Sequence, residues 1–197
     1  MMAQDRYSSF GELYEVEKDG IDYRKQAVKR TSDCLIMAPH GGRIEPGTSE
    51  LAKAVASEDH SLYLFEGIRK RPHSDLHVTS HKYDDYEAIE IVGEHSVVVA
   101  FHGRGDRNDP ATIYVGGLDT TGRDAIIKEL SSKGFETAVG FGELAGKHKN
   151  NICNRGSRSI GVQLEIPKTL REELLSKPDL LDKFSCAVRK AISGAEE

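Results

Sequence analysis

An alternation running the length of the chain leaves few folds open to it. Short apolar runs rich in β-branched and aromatic residues stand at "CLIMA" (34–38), "LYLFEG" (62–67), "SVVVAFHG" (96–103), "TIYVGG" (112–117), "ETAVGF" (136–141) and "IGVQLEI" (160–166). Bounded by Gly or polar residues, they read as strands, several of them apolar on both faces. Helical patterns lie between: "ELAKAVASE" after the candidate caps Thr48 and Ser49, "DDYEAIEIVGE" from Asp84, and "TTGRDAIIKELSSKG" from Thr120 to a stop at Gly134. The C-terminal "KPDLLDKFSCAVRKAIS" places Leu180, Leu181, Phe184, Val188 and Ile192 near helical spacing and should pack on the sheet. This pattern predicts an α/β protein, a three-layer α/β/α open sandwich with a central mixed, largely parallel sheet. No repeat, low-complexity tract or linker divides residues 1–197, so one domain is expected. Residues 1–30 read as an edge hairpin or an irregular entry segment.

Charge and cysteine usage exclude several function classes. With 27 Lys plus Arg against 32 Asp plus Glu, the formal charge is −5, the opposite of a dedicated nucleic-acid binder. Cys34, Cys153 and Cys186 have no CxxC spacing, so neither a disulfide framework nor a cysteine zinc site is indicated, and a reducing compartment is expected. Asp5 and Arg6 precede any apolar run, which argues against a secretory signal. No run approaches the roughly twenty apolar residues that span a bilayer. The expectation is a soluble protein made in the cytoplasm, with no nucleic acid, membrane or obligatory protein partner.

In α/β sheets, functional groups collect beyond the carboxyl ends of strands. His40 and Glu45 share one glycine-rich turn after "CLIMA"; the turn needs glycines for its backbone, but it needs neither an imidazole nor a carboxylate. His102 follows the strand "VVVAF", and Glu165 stands near the end of "IGVQLEI". Two histidines and a carboxylate form a common catalytic zinc set with a fourth position open, which makes His40, Glu45 and His102 candidate ligands. Glu165 is then free to act as general base. The plainer readings are a histidine satisfying a turn carbonyl at His40, a solvated charge at Glu45, a core histidine at His102 and a buried ion pair at Glu165.

Basic residues crowd the same strand ends: Arg69, Lys70 and Arg71; Arg104 and Arg107; then Lys147, Lys149, Arg155 and Arg158 in "KHKNNICNRGSR". Such clustering on an acidic protein suits an anionic substrate. Arg104, two residues past His102, is the first candidate for stabilising a developing oxyanion. Asn154 and Arg155 come next, because their loop leads into the Glu165 strand. In "RPHSDLHVTSHKYDD", alternation aims His77 and His81 along one strand face, with at most one of His73, His77 and His81 next to the site. His60, His95 and His148 are assigned to surface or packing. Cys153 lacks any signature of a nucleophile's partners, and "FHGRGD" and "YVGG" match no nucleotide-binding pattern.

Taken in order, "APHGGRIEPGTSELA", "DLHVTSHKYDD", "VVVAFHGRGD", "ATIYVGGLD" and "NICNRGSRSIGVQLEIP" resemble the poly-γ-glutamate hydrolases carried by bacteriophages of Bacillus and by related prophage regions. The resemblance covers essentially the whole chain. That family is a compact relative of zinc carboxypeptidases and of deacylases such as N-formylglutamate amidohydrolase and aspartoacylase. The likeness implies an open α/β/α sandwich with one zinc per chain, His40, Glu45 and His102 as its ligands and Glu165 as general base. One departure is visible: four residues separate His40 from Glu45, where the larger zinc carboxypeptidases have two.

The implied reaction is hydrolysis of the amide between one glutamate's side-chain carboxyl and the next residue's amine. Each repeat of that polymer carries a free α-carboxylate, for which Arg71, His81, Asn154, Arg155 and Arg158 are the expected binding residues. For a phage, removing a host's polyglutamate capsule would open the cell surface, and release by host lysis would bring the protein to its substrate outside the cell. Two other readings stand beside this one. One is a zinc deacylase of a small N-acyl acidic amino acid; the other is a non-catalytic polyanion-binding phage accessory protein with structural histidines.

Overall fold

The computed structural model describes residues 5–70 and 74–194. Helix α1 (Phe10–Val16) and strand β1 (Tyr23–Val28) precede β2 (Cys34–Gly42), α2 (Thr48–Ala56) and β3 (Ser61–Gly67). Next come α3 (Tyr86–Gly93), β4 (Val97–Arg104), β5 (Ile113–Gly117), α4 (Thr120–Ser132) and β6 (Thr137–Val139), and β7 (Val162–Pro167), α5 (Lys168–Ser176) and α6 (Pro178–Ser193) complete the chain. The strands form one sheet in the order β1-β3-β2-β4-β7-β5-β6. It is mixed and largely parallel: β1 with β3 and β5 with β7 are antiparallel, whereas β2 with β3, β2 with β4, β4 with β7 and β5 with β6 are parallel.

Period-two alternation divides the core into two layers. Cys34, Ile36 and Ala38 of β2, with Val97, Val99 and Phe101 of β4, pack against Leu51 and Val55 of α2, Leu130 of α4, Leu174 of α5 and Val188 of α6. Leu35, Met37, Val98 and Ala100 point the other way, onto Phe10 and Leu13 of α1 and Ile91 and Val92 of α3. Both faces are covered, which is why these strands read as continuous apolar runs.

Helix starts follow ordinary capping where a carboxylate is in place: Asp85 accepts from the Ala88 amide at α3, and Asp119 from the Gly122 amide at α4. Helix α2 departs from expectation. Gly47, with φ 97°, takes the cap position; Thr48 donates to the Glu45 carbonyl, and Ser49 accepts from the Gly42 amide. Both hydroxyls therefore brace the preceding turn. The entry segment is a helix and an edge strand rather than a hairpin, with Ser9 capping α1 and Phe10 set against Phe65 and Tyr83 at ring distances of 4.9 and 4.3 Å. Helix α5, which was not read from the sequence, starts directly after β7. Among the described residues, no helix is long and apolar enough to cross a membrane.

Candidate metal centre and active site

Sheet parity brings the functional side chains to one place. His102 continues the Val98–Ala100 face of β4, and Glu165 and Gln163 oppose the inward set Val162, Leu164 and Ile166 on β7. In the parallel β4–β7 pair, His102 and Glu165 are direct register partners, and Tyr114 of β5 faces Glu165 on its other side. Strict alternation would turn His40 away with Ala38. A register shift between Ala38 and Gly41 instead brings His40 beside Val78 and Tyr83, on the same side as His102.

The turn after β2 then folds Glu45 back. Its amide donates to the His40 carbonyl (2.9 Å), and its carboxylate accepts from the Gly103 amide (2.9 Å). His40 Nε2 donates to the Val78 carbonyl at 2.8 Å, so the neutral ring leaves Nδ1 as a bare acceptor. That atom lies 3.2 Å from His102 Nδ1 and 3.4 Å from the Glu45 carboxylate, and His102 Nδ1 is 3.6 Å from the carboxylate's other oxygen. Burial, with His77 adding to it, drives the His40 pKa down to about 4, which keeps the ring neutral. Glu45 is pulled up by burial, but the facing imidazoles reverse this and hold it ionised. Burial works against protonation of His102, yet its hydrogen bond to Glu45 and the nearby Glu165 raise its pKa. A neutral imidazole lone pair, a carboxylate and a second imidazole sharing one proton are converging donors with a surplus of negative charge. A divalent cation replacing that proton fits this set.

A second grouping overlaps the first. His40, Glu45 and His77 also bring ligand atoms within 4.8 Å of one another. The His77 ring lies tilted against His40 with ring centres 4.0 Å apart, and its Nδ1 is held by Asp5 at 2.6 Å. A carboxylate bound to the far side of an imidazole is the usual arrangement behind a metal-binding histidine. Nevertheless, His102 is the closer partner, buried to 4 % exposure with Nδ1 aimed at both His40 and Glu45. The sequence signal for His77 was weak because Asp5 lies 72 residues away in the chain.

Glu165 stands beside this cluster under different conditions. Burial raises its pKa to about 7; Glu45 adds to the rise, and His102, Arg104 and Arg171 oppose it. Its protein donor is Gln163, whose Nε2 lies 3.0 Å from Oε1. A carboxyl poised near neutrality can accept and return a proton. Arg104 stacks over the Tyr114 ring at 4.9 Å, but its Nη atoms are already taken by Asp109, the Thr112 carbonyl and the carbonyls of Gly105 and Asp106. Its buried Nε has no partner among the described residues, so Arg104 presents a fixed charge rather than a free fork.

The remaining expected residues scatter. Asn154, expected to touch substrate, is 2 % exposed and its amide is fully engaged: it accepts from Leu118 and Gly161 and donates to the carbonyls of Gly146 and His148. It pins loops together instead. Arg158 pairs with Asp119, next to Ser157 bonded to the His95 carbonyl ahead of β4, and thus lies at the amino end of the sheet, away from His102. The chain passes from the site to that end before β7 begins, a descent that sequence order did not reveal. His81 lies in a short 3-10 turn (Ser80–Lys82) rather than a strand, exposed, with its ring tilted against His148 at 4.8 Å. Arg155 donates to the Tyr83 carbonyl, behind His40, and Arg71 falls outside the described residues. A recess of about 540 Å³ lined by Thr31, Asp33, Asp59, His60 and Arg189 is also at the amino end and contains none of this chemistry.

Known proteins share this sequence and fold. UPF0714 protein YmaC of Bacillus subtilis (strain 168) is 40% identical over 173 residues, covering 85% of this chain and 71% of that protein. The solved structure of a bacteriophage poly-gamma-glutamate hydrolase superposes with a TM-score of 0.92 at 31% identity, over 98% of this chain and 99% of that one. A structure described as zinc-free apo YndL superposes with a TM-score of 0.90 at 29% identity, over 98% of this chain and 99% of that one. A family model described as poly-gamma-glutamate hydrolase matches residues 7–188, and the chain, carrying that family's fold through to its last helix, belongs to the poly-gamma-glutamate hydrolase family.

Proposed function

We propose that this protein is a zinc-dependent hydrolase that cuts the γ-glutamyl amide bonds of poly-γ-glutamate, with one zinc per chain held by His40, Glu45 and His102. The observation that carries the reading is the pairing on adjacent strands: a converging His–Glu–His set, and in register with His102 a carboxyl whose pKa is raised to about 7. Zinc in that set supplies Lewis acidity toward the scissile carbonyl and lowers the cost of ionising water.

Within this reading, Glu165 takes a proton from the attacking water as its oxygen bonds to the γ-carbonyl carbon. The C–N bond then breaks, and Glu165 returns the proton to the departing amine; the second proton of the water leaves the new carboxyl group for that amine, giving a carboxylate on one fragment and an ammonium on the other. Gln163 keeps the base oriented through its 3.0 Å hydrogen bond. Arg104, fixed by Asp109 and Thr112, supplies positive potential beside developing negative charge without having to move. His81, Arg155 and Arg71 are assigned to the α-carboxylates of flanking repeats. The biological role that follows is capsule removal by a phage-associated enzyme acting outside the cell after host lysis.

The test is the chain-length distribution of poly-γ-glutamate after incubation with purified protein, with a chelator-treated sample, a zinc-restored sample and Glu165→Gln alongside, and metal content measured per chain. Shortening that chelation abolishes, zinc restores and the variant lacks is the expected result. A zinc-replete protein that leaves the polymer intact sinks the substrate reading. Zinc bound with normal turnover by Glu165→Gln sinks the base assignment.

A further inference from the structure

Arg171 of α5 is buried to 4 % exposure, and nothing in the local sequence marks it. It approaches from the α2/α5/α6 layer, on the side of the sheet opposite His102 and Glu165. Its Nε donates to the Pro46 carbonyl at 2.7 Å, and its Nη1 donates to the Ile166 carbonyl and, at 3.1 Å, to the Arg104 carbonyl. Each carbonyl belongs to a residue adjacent to, or two beyond, a member of the site: Pro46 follows Glu45, Ile166 follows Glu165, and Arg104 stands two residues beyond His102.

Two glycines make room for this. A Cβ on Gly103 would fall 2.5 Å from Arg171 Cζ and Nη1, and one on Gly47 would fall 3.2 Å from Arg171 Cβ. Gly103 is also the residue whose amide holds the Glu45 carboxylate. The guanidinium is thus pressed flat against the backbone that joins two candidate ligands. Among the described residues its formal charge has no carboxylate in salt-bridge contact, and it is balanced at a distance by Glu45, Asp106 and Glu165. A buried arginine of this kind is costly, and a leucine would fill an ordinary core position better.

We infer that Arg171 is the positioning residue of the metal centre: one planar fork, donating to three carbonyls, fixes the carboxyl ends of the β2 turn, β4 and β7 so that Glu45, His102 and Glu165 converge. The inference rests on the proposed zinc reading. Arg171 acts through backbone and touches neither substrate nor metal. A lysine cannot reproduce it, since a single ammonium cannot span the Pro46, Ile166 and Arg104 carbonyls in one plane.

The experiment measures zinc affinity by competition with a chromogenic chelator, together with kcat and KM, for Arg171→Lys, Arg171→Met and Gly103→Ala. Arg189→Met is the control, because Arg189 also donates to carbonyls, those of Val55 and Ala56, at the far end of the sheet. Outer-shell partners of a metal site typically control about 10–100-fold in affinity. A loss of that order is expected for Arg171→Met and Gly103→Ala, with kcat falling and KM nearly unchanged, only slight recovery in Arg171→Lys, and wild-type zinc affinity in Arg189→Met. Wild-type zinc affinity in folded Arg171→Met overturns the inference. So does full recovery in Arg171→Lys, which would mean that charge alone suffices. If Arg171→Met does not fold, Gly103→Ala decides, since it displaces the guanidinium while leaving every charge in place. A wild-type protein that binds zinc but leaves poly-γ-glutamate intact would defeat the proposed reaction while leaving these affinity comparisons valid.

Discussion

Two carboxylates share the same layer between the sheet and its α1/α3 face, and they are treated in opposite ways. Asp85 is 1 % exposed and fully supplied with donors: the Tyr14 hydroxyl, the Tyr63 hydroxyl at 2.9 Å, Lys25 Nζ at 2.8 Å and the Ala88 amide at 2.8 Å. Burial pulls its pKa up, but Lys25, Tyr14 and the Ala88 amide reverse this, and it stays ionised. Glu165 receives a side-chain donor from Gln163, and burial carries its pKa to about 7. A carboxylate with every lone pair matched is a structural anchor that joins α1, β1, β3 and α3. One left short of donors beside a converging His–Glu–His set keeps its proton affinity available for chemistry.

The sharpest way to break this contrast is to exchange the two losses. Glu165→Gln should lower kcat/KM for poly-γ-glutamate by about 10²–10⁴-fold, the range of general base catalysis, while the thermal midpoint is unchanged or higher. Asp85→Ala should do the reverse. It strands Lys25, two tyrosine hydroxyls and a helix cap, and should cost roughly 3 kcal/mol of stability while the folded fraction keeps its turnover. Urea titration and steady-state kinetics on both variants decide the matter, and a stability loss in Glu165→Gln as large as that in Asp85→Ala would erase the distinction.

A smaller effect separates the two acids by pH in the metal-free protein. Glu165 has a folded pKa raised from 4.5 to about 7, so the folded state holds a proton that the unfolded chain releases. Between those values the native state binds more protons, and stability therefore falls as pH rises. The lowered pKa of Asp85 gives the opposite sign: its contribution is present above the ordinary carboxylate range and is lost as pH falls through its folded value. Metal-free Glu165→Gln should match wild type near pH 5 and exceed it near pH 8 by on the order of 1–3 kcal/mol. Parallel stability curves for the two proteins would show that burial does not penalise the Glu165 charge.

The same contrast explains what could be read from the sequence. Alternation and apolar runs are local, so β2, β3, β4, β5, β6 and β7 were legible, and with them the position of His40, Glu45, His102 and Glu165 at or just beyond strand ends. The edge strand β1 was not, because only Tyr23 of it is fully buried and its ordering comes from antiparallel pairing with β3. Tertiary hydrogen bonding has no local pattern either. Asn154 reads as a binding residue from its loop and is a pin; Arg171 has no signal in the sequence at all, and reaches through to the carbonyls of Pro46, Arg104 and Ile166. The turn from Gly41 to Gly47 announces candidate ligands, yet the register shift that swings His40 to the face of His102 is a property of the β2–β3 pairing.

Gln163 offers the finest adjustment to the comparison, since it is the donor that keeps Glu165 from being wholly unsupplied. Its Oε1 accepts from Asn151 Nδ2 at 2.7 Å, which orients the amide so that Nε2 faces the Glu165 carboxylate and, at 3.4 Å, the Leu144 carbonyl. A hydrogen bond to the ionised form favours that form. Gln163→Leu should therefore move the acid limb of kcat/KM to higher pH by less than about one unit, since the base must be ionised to work. At a pH well above the limb, turnover should fall only a few-fold. A pH–rate profile displaced the other way would mean that Gln163 supports the protonated acid and that the proton sits on Glu165 at the start of the reaction. An unmoved profile with a large drop in kcat would instead assign Gln163 to holding the 141–151 loop through Asn151 and Leu144.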